Sequence, residues 1–227
     1  MRLLIDDARI DLIDKAYEFH PIYGVTTNPT ILAQVGCNNP FDILRQIREF
    51  ILDDQLHVQA ISREAKDIVE EAKHIVDILG ENTIVKIPAI PEGFKAMEIL
   101  MVSTEILFTA TAIYTPMQAY IAAECGAAYV APYVNRIDNM GYNGVEVTKQ
   151  IQDIIDNNKM ETEVLAASFK NSQQVLELCE YGIAAATVTP EILTNLTKNP
   201  AIDAAVETFI SDFESFAGEG KTMRDFN

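Results

Sequence analysis

In Thr83-Ile-Val-Lys-Ile-Pro88 the side chains alternate, and Val85 and Ile87 share one face, so Lys86 points to the other. A lysine among apolar neighbours loses hydration, which favours the neutral amine and lowers its pKa. A neutral amine attacks ketones, the first step of Schiff-base chemistry. The same alternation puts other polar side chains on the inner face: Asp6 opposite Ile5, Gln59 opposite Val58 and Ala60, Thr111 with Thr109, Tyr133 with Ala131, and Ser168 with Ala166. A carboxylate, an amide, a hydroxyl and a phenol together hold sugar hydroxyls or a water. Arg136 offers a planar fork for phosphate, and Ser168 a further donor.

Each of these residues also has an ordinary role. Lys86 paired with an inward carboxylate such as Asp6 serves structure alone, and Asp6 by itself caps the turn that follows it. Arg136 is close enough in sequence to Asp138 for a loop ion pair. Tyr133 packs in a core with its hydroxyl satisfied. Thr111 and Ser168 are small hydroxyl residues of the kind barrel interiors often hold, and Asn28 before Pro29 reads as a turn residue. Residue types and spacing leave both roles open. His20, His57 and His74 share no motif and are expected at the surface or in ordinary packing. Cys37, Cys125 and Cys179 lie far apart, with neither zinc-ligand spacing nor a disulfide framework. That pattern suits a reducing cytosol.

Bringing such side chains together takes several strands that end at one place. Short β-type runs alternate with helical patterns along the whole chain. Strands are expected over Leu3–Asp6, Ile22–Thr26, Leu56–Ile61, Thr83–Ile87, Ile106–Thr111, Ala128–Val134, Val164–Ala167 and Ile183–Val188. Helices are expected over Arg9–Phe19, Phe41–Leu52, Ser62–Leu79, Pro116–Glu124 and Val145–Asp156, with a turn at Asn28-Pro29 and a polar loop over Asp138–Gly144. Alternating strands and helices imply parallel pairing through right-handed crossovers. Eight such units in 227 residues predict an α/β fold, a single closed (β/α)8 barrel. The inward polar residues fall near the C-terminal strand ends, where barrel active sites lie. One domain over residues 1–217 is expected, its last helix at 201–216, followed by a mobile tail over 218–227.

Apolar residues make up 48% and charged residues 22%, which fits a globular chain. The formal charge of -17 disfavours nucleic acid and anionic membrane as partners. The N-terminus reaches acidic residues too soon for a signal-peptide core, and the apolar runs are too short to span a bilayer.

Four segments, Gly24-Val-Thr-Thr-Asn-Pro-Thr30, Val85-Lys-Ile-Pro88, Tyr129-Val-Ala-Pro-Tyr-Val-Asn-Arg-Ile-Asp138 and Val164-Leu-Ala-Ala-Ser-Phe-Lys170, resemble the small transaldolases and, more closely, bacterial fructose-6-phosphate aldolases. The resemblance runs in order from Leu3 to about Phe216. It implies a TIM barrel with no metal and no organic cofactor, and Lys86 as the residue that forms the Schiff base. It implies that Asp6, Thr26 and Asn28 hold the dihydroxyacetone unit. Gln59, Thr111 and Tyr133 correspond to the group that positions the proton-moving water, and Arg136 and Ser168 to the phosphate contacts. It also implies a homo-oligomeric ring, a pentamer or decamer, built through the last helix. Transaldolases typically carry Glu at the position of Gln59 and Phe at that of Tyr133, so both residues here are of the aldolase type. Asp7, Ile90 and the Thr187-Val-Thr-Pro190 segment depart from both patterns, and Thr109 rivals Thr111 as the functional hydroxyl. The expected activity is cleavage or formation of fructose 6-phosphate from dihydroxyacetone and glyceraldehyde 3-phosphate. The alternatives are a transaldolase and a sugar-phosphate-binding barrel without catalysis.

Overall fold

The computed structural model describes residues 1–36 and 38–227. The reading of Cys37 therefore lies outside the described residues, while Cys125 is a buried free thiol and Cys179 an exposed one. Two compact units are present, Met1–Leu193 and Thr194–Asn227.

The first unit is a closed barrel of eight parallel strands. They are β1 (Arg2–Asp6), β2 (Ile22–Thr26), β3 (Gln55–Gln59), β4 (Thr83–Pro88), β5 (Phe108–Ile113), β6 (Tyr129–Pro132), β7 (Glu163–Ala166) and β8 (Ala185–Val188). Helices α1 (Ile10–Phe19), α2 (Pro29–Val35), α3 (Pro40–Ile51), α4 (Ala65–Leu79), α5 (Pro91–Ser103), α6 (Pro116–Glu124), α7 (Val134–Asn139), α8 (Gly144–Asn157) and α9 (Ser172–Tyr181) connect them. The helix starts explain themselves locally. Asn28, Asn39, Thr115, Asn143 and Asn171 each accept a backbone N–H with the side chain, and prolines stand at the first turns of α2, α3, α5 and α6.

Alternation sorts the strand residues into two cores. Ile5, Val25, Val58, Val85, Ile87 and Val130 are buried on the helix side, where Ile13, Leu44, Ile68 and Met97 are also buried. Leu4, Ile84, Tyr129, Leu165 and Ala185 form a separate cluster. Those five belong to strands that are not all neighbours, so they meet in the lumen. Their parity turns Asp6 and Lys86 inward, two residues above Leu4 and Ile84. On β7 the lumen residue is Leu165, so Ala166 faces the helices, contrary to the expected grouping of Ala166 with Ser168. Ser168 lies beyond the strand with φ +60°, a left-handed conformation that breaks the alternation.

Three elements differ from the sequence expectation. Asn28-Pro29 starts the helix α2, with Asn28 as its cap. Helix α7 occupies Val134–Asn139, where the polar loop was expected to begin. The fifth strand runs on to Ile113 through an irregularity at Ala112, whose φ is +58°.

The second unit contains α11 (Pro200–Ala217), capped by Asn199, and a 3-10 turn at Met223–Asp225. Helix α10 (Pro190–Thr197) spans the division between the units.

Candidate active site

Lys86 stands in register with Gln59 of β3 on one side and Thr109 of β5 on the other. It is 6% exposed, and its Nζ donates to the carbonyl oxygen of Thr27 at 2.9 Å. Lys86 forms no ion pair among the described residues, so the structural pairing with Asp6 is not what holds it. Burial pushes its pKa down, the Asp6 charge works in the opposite direction, and the Arg136 charge adds to the lowering. An amine in that position is available as a nucleophile.

Asp6 receives the Thr26 hydroxyl at 2.6 Å. Thr26 spends its only proton there, so the Thr187 hydroxyl, also 2.6 Å from Thr26, donates to Thr26. Burial raises the Asp6 pKa, against the lowering influence of Lys86 and of the Thr26 bond. Asp7, next in sequence, is buried and turned away to a two-point contact with Arg9.

The hydroxyls of Thr111 and Tyr133 lie 2.8 Å apart. Burial raises the Tyr133 pKa, although the Thr111 bond and Arg136 act against it, so the phenol keeps its proton near neutrality. The Arg136 guanidinium lies over the Tyr133 ring, 4.5 Å from its centre. Its loop pairing with Asp138 does not occur. Asp138 instead accepts the Gly144 N–H at 2.7 Å and the Gln174 amide at 2.6 Å. Arg136 is exposed and forms no ion pair among the described residues. Its fork is therefore open to an anion. Ser168 is half-buried, and its carbonyl accepts Asn135 N–H at 2.8 Å, tying it to the turn that carries Arg136.

Asn28 is half-buried and accepts Ile31 N–H through Oδ1, and its Nδ2 makes no hydrogen bond among the described residues. The Gln59 amide makes no hydrogen bond to another described residue. It borders a largely apolar cavity of about 330 Å³ lined also by Pro29, Leu32, Phe41 and Leu44; Lys86, Asp6 and Arg136 do not line it. Thr109 is committed elsewhere, with its Oγ1 2.9 Å from His57 Nδ1. Of the two threonines on β5, Thr111 is the one that meets Tyr133.

Sequence reasoning missed three residues. Thr27 supplies the acceptor for Lys86, Thr187 extends the Asp6–Thr26 chain, and His57, expected at the surface or in ordinary packing, is fully buried with both ring nitrogens facing polar side chains. Parity could have found His57, which shares the lumen face with Gln59. Among the described residues no group of three or more His, Cys, Asp or Glu side chains is placed to hold a metal, and no helix is long and apolar enough to cross a membrane.

A family model described as Transaldolase/Fructose-6-phosphate aldolase matches residues 3–224. The chain belongs to this transaldolase/fructose-6-phosphate aldolase family. A probable transaldolase of Hydrogenobaculum sp. is 37% identical over 215 residues, covering 94% of this chain and 97% of the relative. A probable transaldolase of Clostridium kluyveri is 36% identical, covering 95% and 98%. One from Aquifex aeolicus is 34% identical, covering 94% and 97%. A mandelate oxidase variant solved with a bound aromatic hydroxy compound superposes with a TM-score of 0.55 at 14% identity, covering 95% of this chain and 74% of that one. That likeness is one of barrel fold alone. Membership of the transaldolase/aldolase family makes the chain a Schiff-base aldolase or transaldolase acting on a sugar phosphate.

Proposed function

We propose that the protein is a class I aldolase that cleaves fructose 6-phosphate to dihydroxyacetone and glyceraldehyde 3-phosphate, and runs the addition in reverse. The observation that carries this reading is Lys86 itself, a buried lumen amine that forms no ion pair among the described residues and whose pKa burial lowers. In the first step its neutral amine adds to the C2 carbonyl. Water leaves and a protonated imine forms as an electron sink. The C3–C4 bond then breaks, its electron pair moving into an enamine, while the C4 hydroxyl gives its proton to a water held by Thr111, Tyr133 and Gln59. Glyceraldehyde 3-phosphate departs. The enamine takes a proton at C3, water adds to the imine, and dihydroxyacetone leaves Lys86 free.

Asp6, Thr26 and Asn28 hold the hydroxyls of the three-carbon donor, and Arg136 with Ser168 holds the phosphate. Gln59 and Tyr133 favour hydrolysis over transfer. A neutral amide positions a water without taking its proton, and a phenol that keeps its proton both holds the water and donates. The same reading makes the enzyme a cytoplasmic homo-oligomer, pentamer or decamer, assembled through α11.

Borohydride reduction with fructose 6-phosphate should leave a three-carbon adduct on Lys86 by mass spectrometry, and Lys86→Ala should lose both adduct and turnover. An adduct on Lys95 or Lys170 instead overturns the assignment. The second reading, a transaldolase, is supported by the names of the relatives. In that case the enamine attacks a second aldose phosphate. Rates measured with and without erythrose 4-phosphate separate the two, and transfer faster than cleavage would replace the aldolase reading. A barrel that only binds would give no adduct with any ketose phosphate.

A further inference from the structure

Two fully buried polar side chains, His57 and Thr109, border the apolar lumen cluster that lies beneath Lys86. His57 is 0% exposed on β3, two residues below Gln59. Thr109 is 0% exposed on β5, two residues below Thr111. Between them runs β4, which carries Lys86. His57 Nδ1 reaches across that strand to Thr109 Oγ1 at 2.9 Å. On its other side, His57 Nε2 lies 3.3 Å from Gln55 Oε1, and the Gln55 amide donates to the Tyr129 hydroxyl at 2.9 Å. The Tyr129 ring meets the imidazole edge to face at 5.5 Å between centroids. Arg2 lies over Tyr129 and pairs with Glu163, which anchors the lower end of the chain of contacts.

The donors fix the state of the ring. Gln55 gives its N–H to Tyr129, so its oxygen faces His57 and Nε2 carries the imidazole proton. In a neutral ring Nδ1 then accepts, and the Thr109 hydroxyl donates. Neither nitrogen is left to compete for Lys86, whose amine is bonded to Thr27. Burial and the Lys86 charge hold the His57 pKa down to about 3, so the ring stays neutral through the working range. Two buried polar side chains that could be apolar are an unfavourable choice for packing alone. They do make a directional tie between the two strands that flank the lysine strand.

We propose that His57 is a positioning residue for the reaction: by binding Thr109 across β4 it fixes the lumen faces of β3 and β5, and so the spacing between Gln59 and the Thr111–Tyr133 pair above Lys86. This rests on the aldolase reading of the Lys86 site. The groups that His57 places act after the imine has formed. Loss of the tie therefore affects carbon–carbon cleavage more than attack by the amine.

The test uses the full-length protein with fructose 6-phosphate. His57→Phe keeps an aromatic ring but deprives Thr109 of its acceptor. It should lower kcat by roughly tenfold to a hundredfold, as small misplacements near reacting groups do, with KM and the rate of borohydride-trapped Lys86 adduct near wild type. His57→Gln offers an acceptor toward Thr109 and a donor toward Gln55, and should recover most of kcat. His57→Phe with Thr109→Val removes the orphaned hydroxyl and should regain thermal stability while kcat stays low. A double variant that regains both stability and kcat means the pair serves packing alone, and the proposal falls. It falls equally if His57→Phe turns over like wild type, or if adduct formation drops as far as kcat. Absence of any Lys86 adduct in the wild-type protein would instead remove the aldolase reading, a separate result.

Discussion

A buried imidazole beside a buried amine gives the native state a pH dependence of defined sign. In the unfolded chain His57 titrates near 6.5, whereas burial, and then the Lys86 charge, lower it to about 3 in the fold. Between these values the unfolded chain binds a proton that the native chain does not, so stability falls as pH falls. Taking the neutral side as reference, this one group should cost about 2 kcal/mol by pH 5. Denaturant unfolding at pH 7.5 and pH 5.0 should therefore show a larger drop for wild type than for His57→Gln, by roughly that amount. Equal drops would mean that His57 is charged or solvated in the native state. The lysine has the same sign at the alkaline end: its lowered pKa makes stability rise with pH between the folded value and the unfolded one. Lys86, Asp6, Gln59 and Thr111 could be read from sequence because strand side chains alternate with period two, so apolar neighbours identify the inward position. Ser168 could not be placed that way, since its left-handed backbone ends the alternation. The Arg136–Asp138 question stayed open because α7 was not foreseen. Once both residues stand on one helix, a separation of two turns their side chains apart. The sequence left His57 between surface and packing; its partnership with Thr109 was not legible because the two lie 52 residues apart and no local pattern links them.

At the scale of elements, the position of Lys86 depends on how α5 sits against the end of its strand. Gly93, in the first turn of α5, comes so near Pro88 that a Cβ there would lie 2.0 Å from the Pro88 carbonyl oxygen. Backbone on both sides cannot give way as a flexible side chain does. Gly93→Ala must push α5 off the C-terminal end of β4, two residues beyond Lys86. Overpacking of this kind costs about 1–3 kcal/mol, which for a chain of this size lowers Tm by very roughly 2–12 °C. The shift also reaches the lysine, so the trapping rate at Lys86 should fall in the folded variant. A variant with unchanged Tm would show that α5 is not seated this tightly. Strand β2 and helix α6 lie at the residues expected from sequence, since turn residues and a proline-led helix start mark their ends. The short helices α2 and α7 were hidden for a physical reason. Each is too short to show a helical repeat, and the cap at Asn28 and the turn after Tyr133 are also features of loops. Strand β5 ran past its expected end because the irregularity at Ala112 keeps Ile113 paired with Pro132.

At the scale of the whole molecule, α11 carries an apolar stripe that its own unit does not bury. Within its own unit, Phe213 meets the rings of Phe216 and Phe226, at 5.0 and 6.3 Å between centroids. Ile202, Val206, Phe209 and Ile210 are 46–70% exposed, and no residue of the helix is buried. Their spacing of four, three and one draws a single apolar stripe, while Asp203, Glu207, Asp212 and Glu214 supply the charges. A chain with a formal charge of -17 repels its own copies at long range, so association needs apolar contact to offset that repulsion. A stripe of this kind, left to solvent, is the sort of surface that marks an interface. A second copy of the chain is the occupant proposed above. The sharpest check is substitution within the stripe, which leaves the chain length unchanged. Phe209→Glu with Ile210→Glu places two carboxylates on the stripe, and bringing copies together would then bury like charges. The particle mass by light scattering should fall from that of an oligomer toward about 25 kDa, the mass of one chain. Circular dichroism should show the helix content retained, because glutamate is a good helix former. A particle mass identical to wild type would place the contact elsewhere on the molecule. A wild-type mass already near one chain would mean that α11 holds no copies together.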